Sequence, residues 1–151
     1  MSVSDSYLGA TEGELLGAPP ARRLAAYSDQ RRLFPHRGAL QLTPRTLVLG
    51  GWRVIRREAV ADVRLTFTDA YPRSQGAGIR GNNASFGLFG NLGKPLVLGL
   101  HDDEPVYLLI DFRWFTGINQ ARRWAPLLRE WSCAEVPVLC GEGLSPRSSW
   151  R

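Results

Sequence analysis

Alternation is cleanest from Asp62 to Thr68, where Val63, Leu65 and Phe67 fall on one side and Asp62, Arg64, Thr66 and Thr68 on the other. Successive strand residues point to opposite faces, so this period of two predicts a half-buried antiparallel strand with the apolar three inward. Gly38 to Leu42 alternates in the same way, with Leu40 and Leu42 on one face. Thr43-Pro44-Arg45 then breaks the chain before Thr46-Leu47-Val48-Leu49, which predicts a hairpin closed by a short turn. Gly50-Gly51 ends that strand, and Trp52 to Ile55 is predicted as the next, stopped by Arg56-Arg57-Glu58. Two apolar runs, Leu96 to Leu100 and Val106 to Ile110, flank the turn His101-Asp102-Asp103-Glu104-Pro105 and are predicted as neighbouring strands.

The period changes once, near the end of the chain. Ile118, Ala121, Trp124 or Ala125, Leu128 and Trp131 recur at steps of three and four, which puts them on one face of a helix from Asn119 to Trp131. Gln120, Arg122, Arg123, Arg129 and Glu130 take the other face, and the Asn119 side chain suits the N-terminal cap. Pro126 lies inside this pattern. It removes one backbone donor and crowds the preceding turn, at about 3 kcal/mol, so a kink or a helix restarting at Pro126 is expected. The pattern therefore predicts a sheet finished by one helix carrying two tryptophans.

The flanks are less regular. Ser2 to Ser6 reads as frayed and Ala21 to Tyr27 as extended, so residues 1–36 are predicted as an arm packed on a domain of residues 37–132. Tyr71 to Gly93 is rich in Gly, Asn and Ser and is predicted as a long loop, with a short strand near Ser85 to Phe89 and Phe86 and Phe89 as anchors. Residues 133–151 are predicted as a tail.

A chain of 151 residues suits one domain with a core of its own. No apolar run reaches the roughly 20 residues of a membrane-spanning helix. The opening Met1-Ser2-Val3-Ser4-Asp5 lacks a basic start followed by an apolar stretch, so no leader and a cytoplasmic location are expected. Cys133 and Cys140 match no zinc spacing, and free thiols are expected in that compartment. The net charge of +5 is concentrated in Arg31 to Arg80, which carries ten basic and three acidic residues.

Several short stretches resemble the bacterial pleckstrin-homology-like superfamily, which includes the GRAM-type domains. They are Gly13-Glu14-Leu15-Leu16, Arg37-Gly38-Ala39-Leu40-Gln41-Leu42-Thr43, Arg45-Thr46-Leu47-Val48-Leu49 and Val60-Ala61-Asp62-Val63, with Trp124 and Leu128 where that family places its capping helix. The resemblance implies a mainly β fold, a barrel or sandwich of about seven antiparallel strands capped by one C-terminal α-helix. It also implies a binding module and not an enzyme. Members that hold phosphoinositides use a dense basic motif in the first hairpin, which this chain lacks, and many domains of this type bind other proteins.

The remaining motifs carry little chemistry. Gly76-Ala77-Gly78-Ile79-Arg80-Gly81 spells G-x-G-x-x-G, but neither a strand before it nor a helix after it is predicted, so the glycines read as turn formers. Asp102-Asp103-Glu104 reads as an exposed turn. No cofactor or metal is expected. Two binding modes remain. One is a protein or peptide partner, taken through an open sheet edge or the glycine-rich loop. The other is an anionic ligand, a membrane surface before nucleic acid, held on a rim of Arg45, Arg53, Arg56, Arg57, Arg73 and Arg80, since the guanidinium fork suits phosphate. Homodimerisation through an edge strand is compatible with both.

Overall fold

A computed structural model describes residues 3–26, 30–72, 93–113 and 119–133. In chain order these form β1 (Val3–Thr11), α1 (Glu12–Leu16), α2 (Pro20–Ala25), a 3-10 turn (Gln30–Leu33), β2 (His36–Leu42), β3 (Thr46–Leu49) and β4 (Arg53–Arg56). A second 3-10 turn (Arg57–Ala59) then leads to β5 (Val60–Leu65), β6 (Leu96–Leu100), β7 (Val106–Ile110) and α3 (Ala121–Ser132). The strands make one seven-stranded sheet in the order β4-β3-β2-β1-β7-β6-β5, every pair antiparallel. β4 and β5 are the two edges, yet only three residues join them. The sheet must therefore curl until its edges approach, giving the expected mainly β half-barrel with a C-terminal helix.

The concave face holds the larger core. Tyr7, Leu40, Leu42, Leu47, Leu49, Ile55, Val63, Leu96, Leu98, Val106, Leu108 and Ile110 meet the apolar face of α3 there. Trp124 and Trp131 are 4% and 9% exposed, so both indoles plug one end of the curl. Their N–H groups are matched: Trp131 Nε1 donates to the Thr43 carbonyl at 2.8 Å and Trp124 Nε1 to Asp5 Oδ2 at 3.3 Å. The helix starts at Ala121 with Gln120, and not Asn119, in the cap position; Asn119 stands one residue earlier, its Oδ1 accepting from the Ala121 N–H at 2.8 Å. The helix runs unbroken through Pro126, which lies on the solvent face while Trp124, Ala125 and Leu128 face the core. Packing of that face outweighs the lost backbone bond, so no restart occurs.

The convex face is covered too, and here the expectation of an N-terminal arm fails. Val3–Thr11 is the central strand, paired with β2 on one side and β7 on the other, so no boundary at residue 36 separates an arm from a domain. Nor is Ala21 onward extended. Pro20, whose fixed φ suits the first helical position, opens α2. The segment between β1 and β2 folds back over the sheet. Leu15, Ala26, Leu33 and Phe34 pack with Tyr71 on the outward residues Leu8, Ala10, Val97, Tyr107 and Leu109. β7 is consequently buried at every position. β5 also ends earlier than the alternation suggests, at Leu65. Past it the chain turns, and Phe67 packs beside Tyr71 in the outer cluster and not on the inner face.

Candidate functional site

The β3–β4 hairpin turns through Gly50-Gly51, where Gly51 takes a φ of 80° that a side chain disfavours. The Trp52 N–H closes the turn on the Leu49 carbonyl at 3.0 Å. β4 then runs back along β3 with Leu49 opposite Arg53, Val48 opposite Val54, Leu47 opposite Ile55 and Thr46 opposite Arg56. One step further the Arg57 N–H donates to the Arg45 carbonyl at 2.9 Å. Hydrogen-bonded and non-bonded positions alternate in an antiparallel ladder. The backbone groups of Val54 and Arg56 therefore point away from β3, and among the described residues no strand lies on that side.

The opposite edge is treated differently. β5 lies against α3, and Arg129 Nε donates to the Val63 carbonyl at 3.0 Å. One edge is covered by the capping helix; the other has no strand beside it among the described residues.

A groove of about 420 Å³ runs beside β4. Its apolar lining comes from Val54, Ile55, Ala59 and Leu100, and its charges from Arg53 and Arg56 on β4 and Asp102 and Asp103 on the β6–β7 turn. Arg53 Nη1 reaches Asp103 Oδ2 at 3.4 Å, so this ion pair joins the hairpin to the β6–β7 turn. The Arg53 guanidinium also sits 5.0 Å from the centre of the Trp52 ring. Trp52 in turn stacks on His36, centres 4.0 Å apart and planes within 3°, and His36 Nε2 lies 2.9 Å from Glu14 Oε2. Trp52 rests over Gly9, where a Cβ would come within 2.6 Å of its ring. It thus closes the end of the curl opposite to that filled by Trp124 and Trp131.

Glu14 is held from several sides. It completes a capping box in which the Thr11 N–H donates to Oε1 at 2.9 Å and the Thr11 hydroxyl accepts from the Glu14 N–H. Burial works against its charge, but these hydrogen bonds and His36 together outweigh it and hold the carboxyl below its ordinary value.

The six arginines expected to share one rim divide. Arg45, Arg56 and Arg57 lie near one end of the β3–β4 ladder, where the Arg57 N–H bonds the Arg45 carbonyl and Arg56 stands opposite Thr46. Arg53 lies at the other end, tied to Asp103. Arg56 also pairs with Glu58 at 3.2 Å, both side chains well exposed. Arg73 and Arg80, with the G-x-G-x-x-G stretch, Phe86 and Phe89, lie outside the described residues. Sequence reasoning missed Trp52 as an end plug and Val54 as the exposed centre of a free edge. The only local signal was a large aromatic directly after Gly-Gly.

A second hollow of about 360 Å³ lies on the convex face, where the Tyr107 hydroxyl sits 2.5 Å from Thr68 Oγ1 and donates to Glu12 Oε1 at 3.2 Å. Burial raises the Tyr107 pKa, so the phenol stays protonated and serves as a fixed polar link. Among the described residues no group of three His, Cys, Asp or Glu is placed to hold a metal ion. The expectation of free thiols is overturned at Cys133, which is disulfide-bonded, while Cys140 lies outside the described residues. That expectation rested on an assumed reducing compartment and not on geometry. Among the described residues no helix is long and apolar enough to cross a membrane.

No protein-family model matches the chain, and neither a curated protein nor a solved structure matches it significantly.

Proposed function

We propose that this protein is a non-enzymatic binding module of pleckstrin-homology-like architecture that takes an extended peptide segment of a protein partner along β4. The observation that carries the reading is the asymmetry of the sheet edges. β5 lies against α3, whereas the outward backbone groups of Val54 and Arg56 on β4 have no strand beside them among the described residues and border an apolar-lined groove. Strand addition uses such an edge: main-chain hydrogen bonds supply affinity, and pockets for alternate side chains supply selectivity. Val54, 57% exposed, is an apolar contact point that a solvated edge does not need.

The test is selection from a displayed peptide library on the whole protein and on Val54→Pro. Proline deletes an N–H that points outward, so the β3–β4 ladder keeps its own bonds. Peptides enriched on the native protein should lose binding to the variant, with its thermal melt retained. Failure to enrich any peptide, or equal binding to a folded Val54→Pro, refutes the reading.

A second reading draws on the three arginines Arg45, Arg56 and Arg57 that the backbone places near one end of the hairpin, since guanidinium groups suit an anionic headgroup. It requires co-sedimentation with anionic vesicles that weakens as salt rises.

A further inference from the structure

We infer that the hollow on the convex face is a second binding site, for a primary alkylammonium group of a free amine or of a lysine side chain, with Glu12 and Asp69 answering its charge and Leu16 and Ala70 its alkyl arm. It shares no lining residue with the β4 groove, so it stands apart from strand addition there.

Both carboxylates are placed by backbone bonds and buried side chains. Glu12 opens α1, where its N–H donates to the Pro105 carbonyl at 2.9 Å and the Tyr107 hydroxyl donates to its Oε1 at 3.2 Å. Tyr107 is 1% exposed, so its phenol is a fixed floor. Asp69 stands on a turn in which the Thr68 N–H donates to the Tyr71 carbonyl at 3.2 Å and the Ala70 N–H to Thr68 Oγ1 at 3.2 Å. Ala70 and Tyr71 are buried in the outer cluster, and Asp69 is the exposed residue of the turn. Thr68 Oγ1 also meets the Tyr107 hydroxyl, which ties the turn to the floor. Glu12 and Asp69 thus stand on either side of one buried Tyr107–Thr68 link.

The charges of the lining do not cancel. Arg64 is the one cation among the lining residues, and its Nε already pairs with Asp62 Oδ2 at 3.4 Å. Tyr107 answers Glu12 with a neutral donor only, and Asp69 has no ion-pair or hydrogen-bond partner for its side chain. Two carboxylates are left on one hollow, and an ammonium, a compact cation with three N–H donors, answers both. A calcium ion wants about six to eight oxygens, and among the described residues no three ligating side chains converge. Leu16, 55% exposed at the rim, and Ala70 supply an apolar side along which an alkyl arm can lie. At about 360 Å³ the hollow is near the small end of ligand sites, about 300–1,000 Å³, which suits a short amine.

The test follows amide proton–nitrogen shifts of the full protein during titration with n-butylammonium, n-butyrate and n-butanol at one ionic strength. Butylammonium should give saturable shifts around Glu12 and from Thr68 to Tyr71; butyrate and butanol should give none. Glu12→Gln and Asp69→Asn keep the side-chain shape and remove one charge each. Each should weaken butylammonium about tenfold, the loss of one charge-assisted hydrogen bond. Glu130→Gln, a matched change on the exposed face of α3, should leave the affinity as it was. Nα-acetyl-lysine N-methylamide separates the two sources of the group. Binding as tight as butylammonium or tighter assigns the hollow to a lysine of a protein partner, weaker binding to a free amine, and both uphold the charge assignment. Shifts that do not saturate, equal effects of butyrate, or equal weakening by Glu130→Gln overturn the site. So does an affinity unchanged in both Glu12→Gln and Asp69→Asn. None of these results bears on β4, whose own peptide selection stands or falls separately.

Discussion

Gly9→Ala should destabilise this protein, and only while Trp52 is present. A methyl at Gly9 would stand 2.6 Å from Trp52 Cζ3 and 3.1 Å from Cε3, closer than non-bonded carbons allow. The indole can retreat only by giving up its stacking on His36 and on Tyr7, whose ring centre is 6.4 Å away. Each aromatic pair contributes about 0.5–1.5 kcal/mol beyond its buried area, so losing both costs about 1–3 kcal/mol. Overpacking of a filled site falls in the same range. A central value near ~2 kcal/mol corresponds to a drop in Tm of about 4–8 °C for a chain of this size. In a Trp52→Ala background the clash with the indole is gone and the nearest remaining atom is Tyr7 Cε2, at 3.1 Å. There the ordinary preference for alanine over glycine in a strand, about 0.5–1 kcal/mol, should make the same substitution neutral or stabilising. The assay is a double-mutant cycle by urea unfolding, with the m-values checked for constancy. A Gly9→Ala penalty of equal size in both backgrounds would show that Trp52 does not depend on that gap.

Pro126→Ala should stabilise the protein by about 1–3 kcal/mol, because it restores the bond to the Arg122 carbonyl at an exposed position without touching the packed face; a urea midpoint that stays put or falls argues against this. Glu14→Gln should lower Tm by an amount that depends on pH. The Glu14 pKa is depressed in the folded state, so its contribution is present in full above the unfolded value and is lost as pH falls through the folded one. The Tm gap between native protein and variant should thus be widest near neutrality and shrink toward about pH 3; a gap that does not change with pH would mean the carboxylate has no such role.

The elements legible in the sequence were those with one wet face or none. β3 and α3 show their periods directly, and β6 and β7 read as apolar runs because both faces are covered. β1 was missed for a related reason. Its inward residues include Gly9, its outward ones Leu8 and Ala10, and its first half is Ser-Asp-Ser, so neither alternation nor an apolar run emerges. Its place in the sheet is set by partners far along the chain, which no local window contains. The candidate site was half legible. An edge strand carrying arginines was legible in the sequence, but the groove beside it also needs Arg53 and Asp103, fifty residues apart, which the curl brings together.

The middle of the sheet has a bearing on how the molecule is made. Of the described strands β1 is synthesised before the others, and β7, which must lie beside it, after them. Contacts this distant in the chain form slowly. During translation the hairpins β2–β3–β4 can assemble early, but the half-barrel has to wait for Val106 to Ile110 to emerge, with one side of β1 bare until then. Nascent chains stalled short of that point should remain open to proteases in a way the finished protein is not.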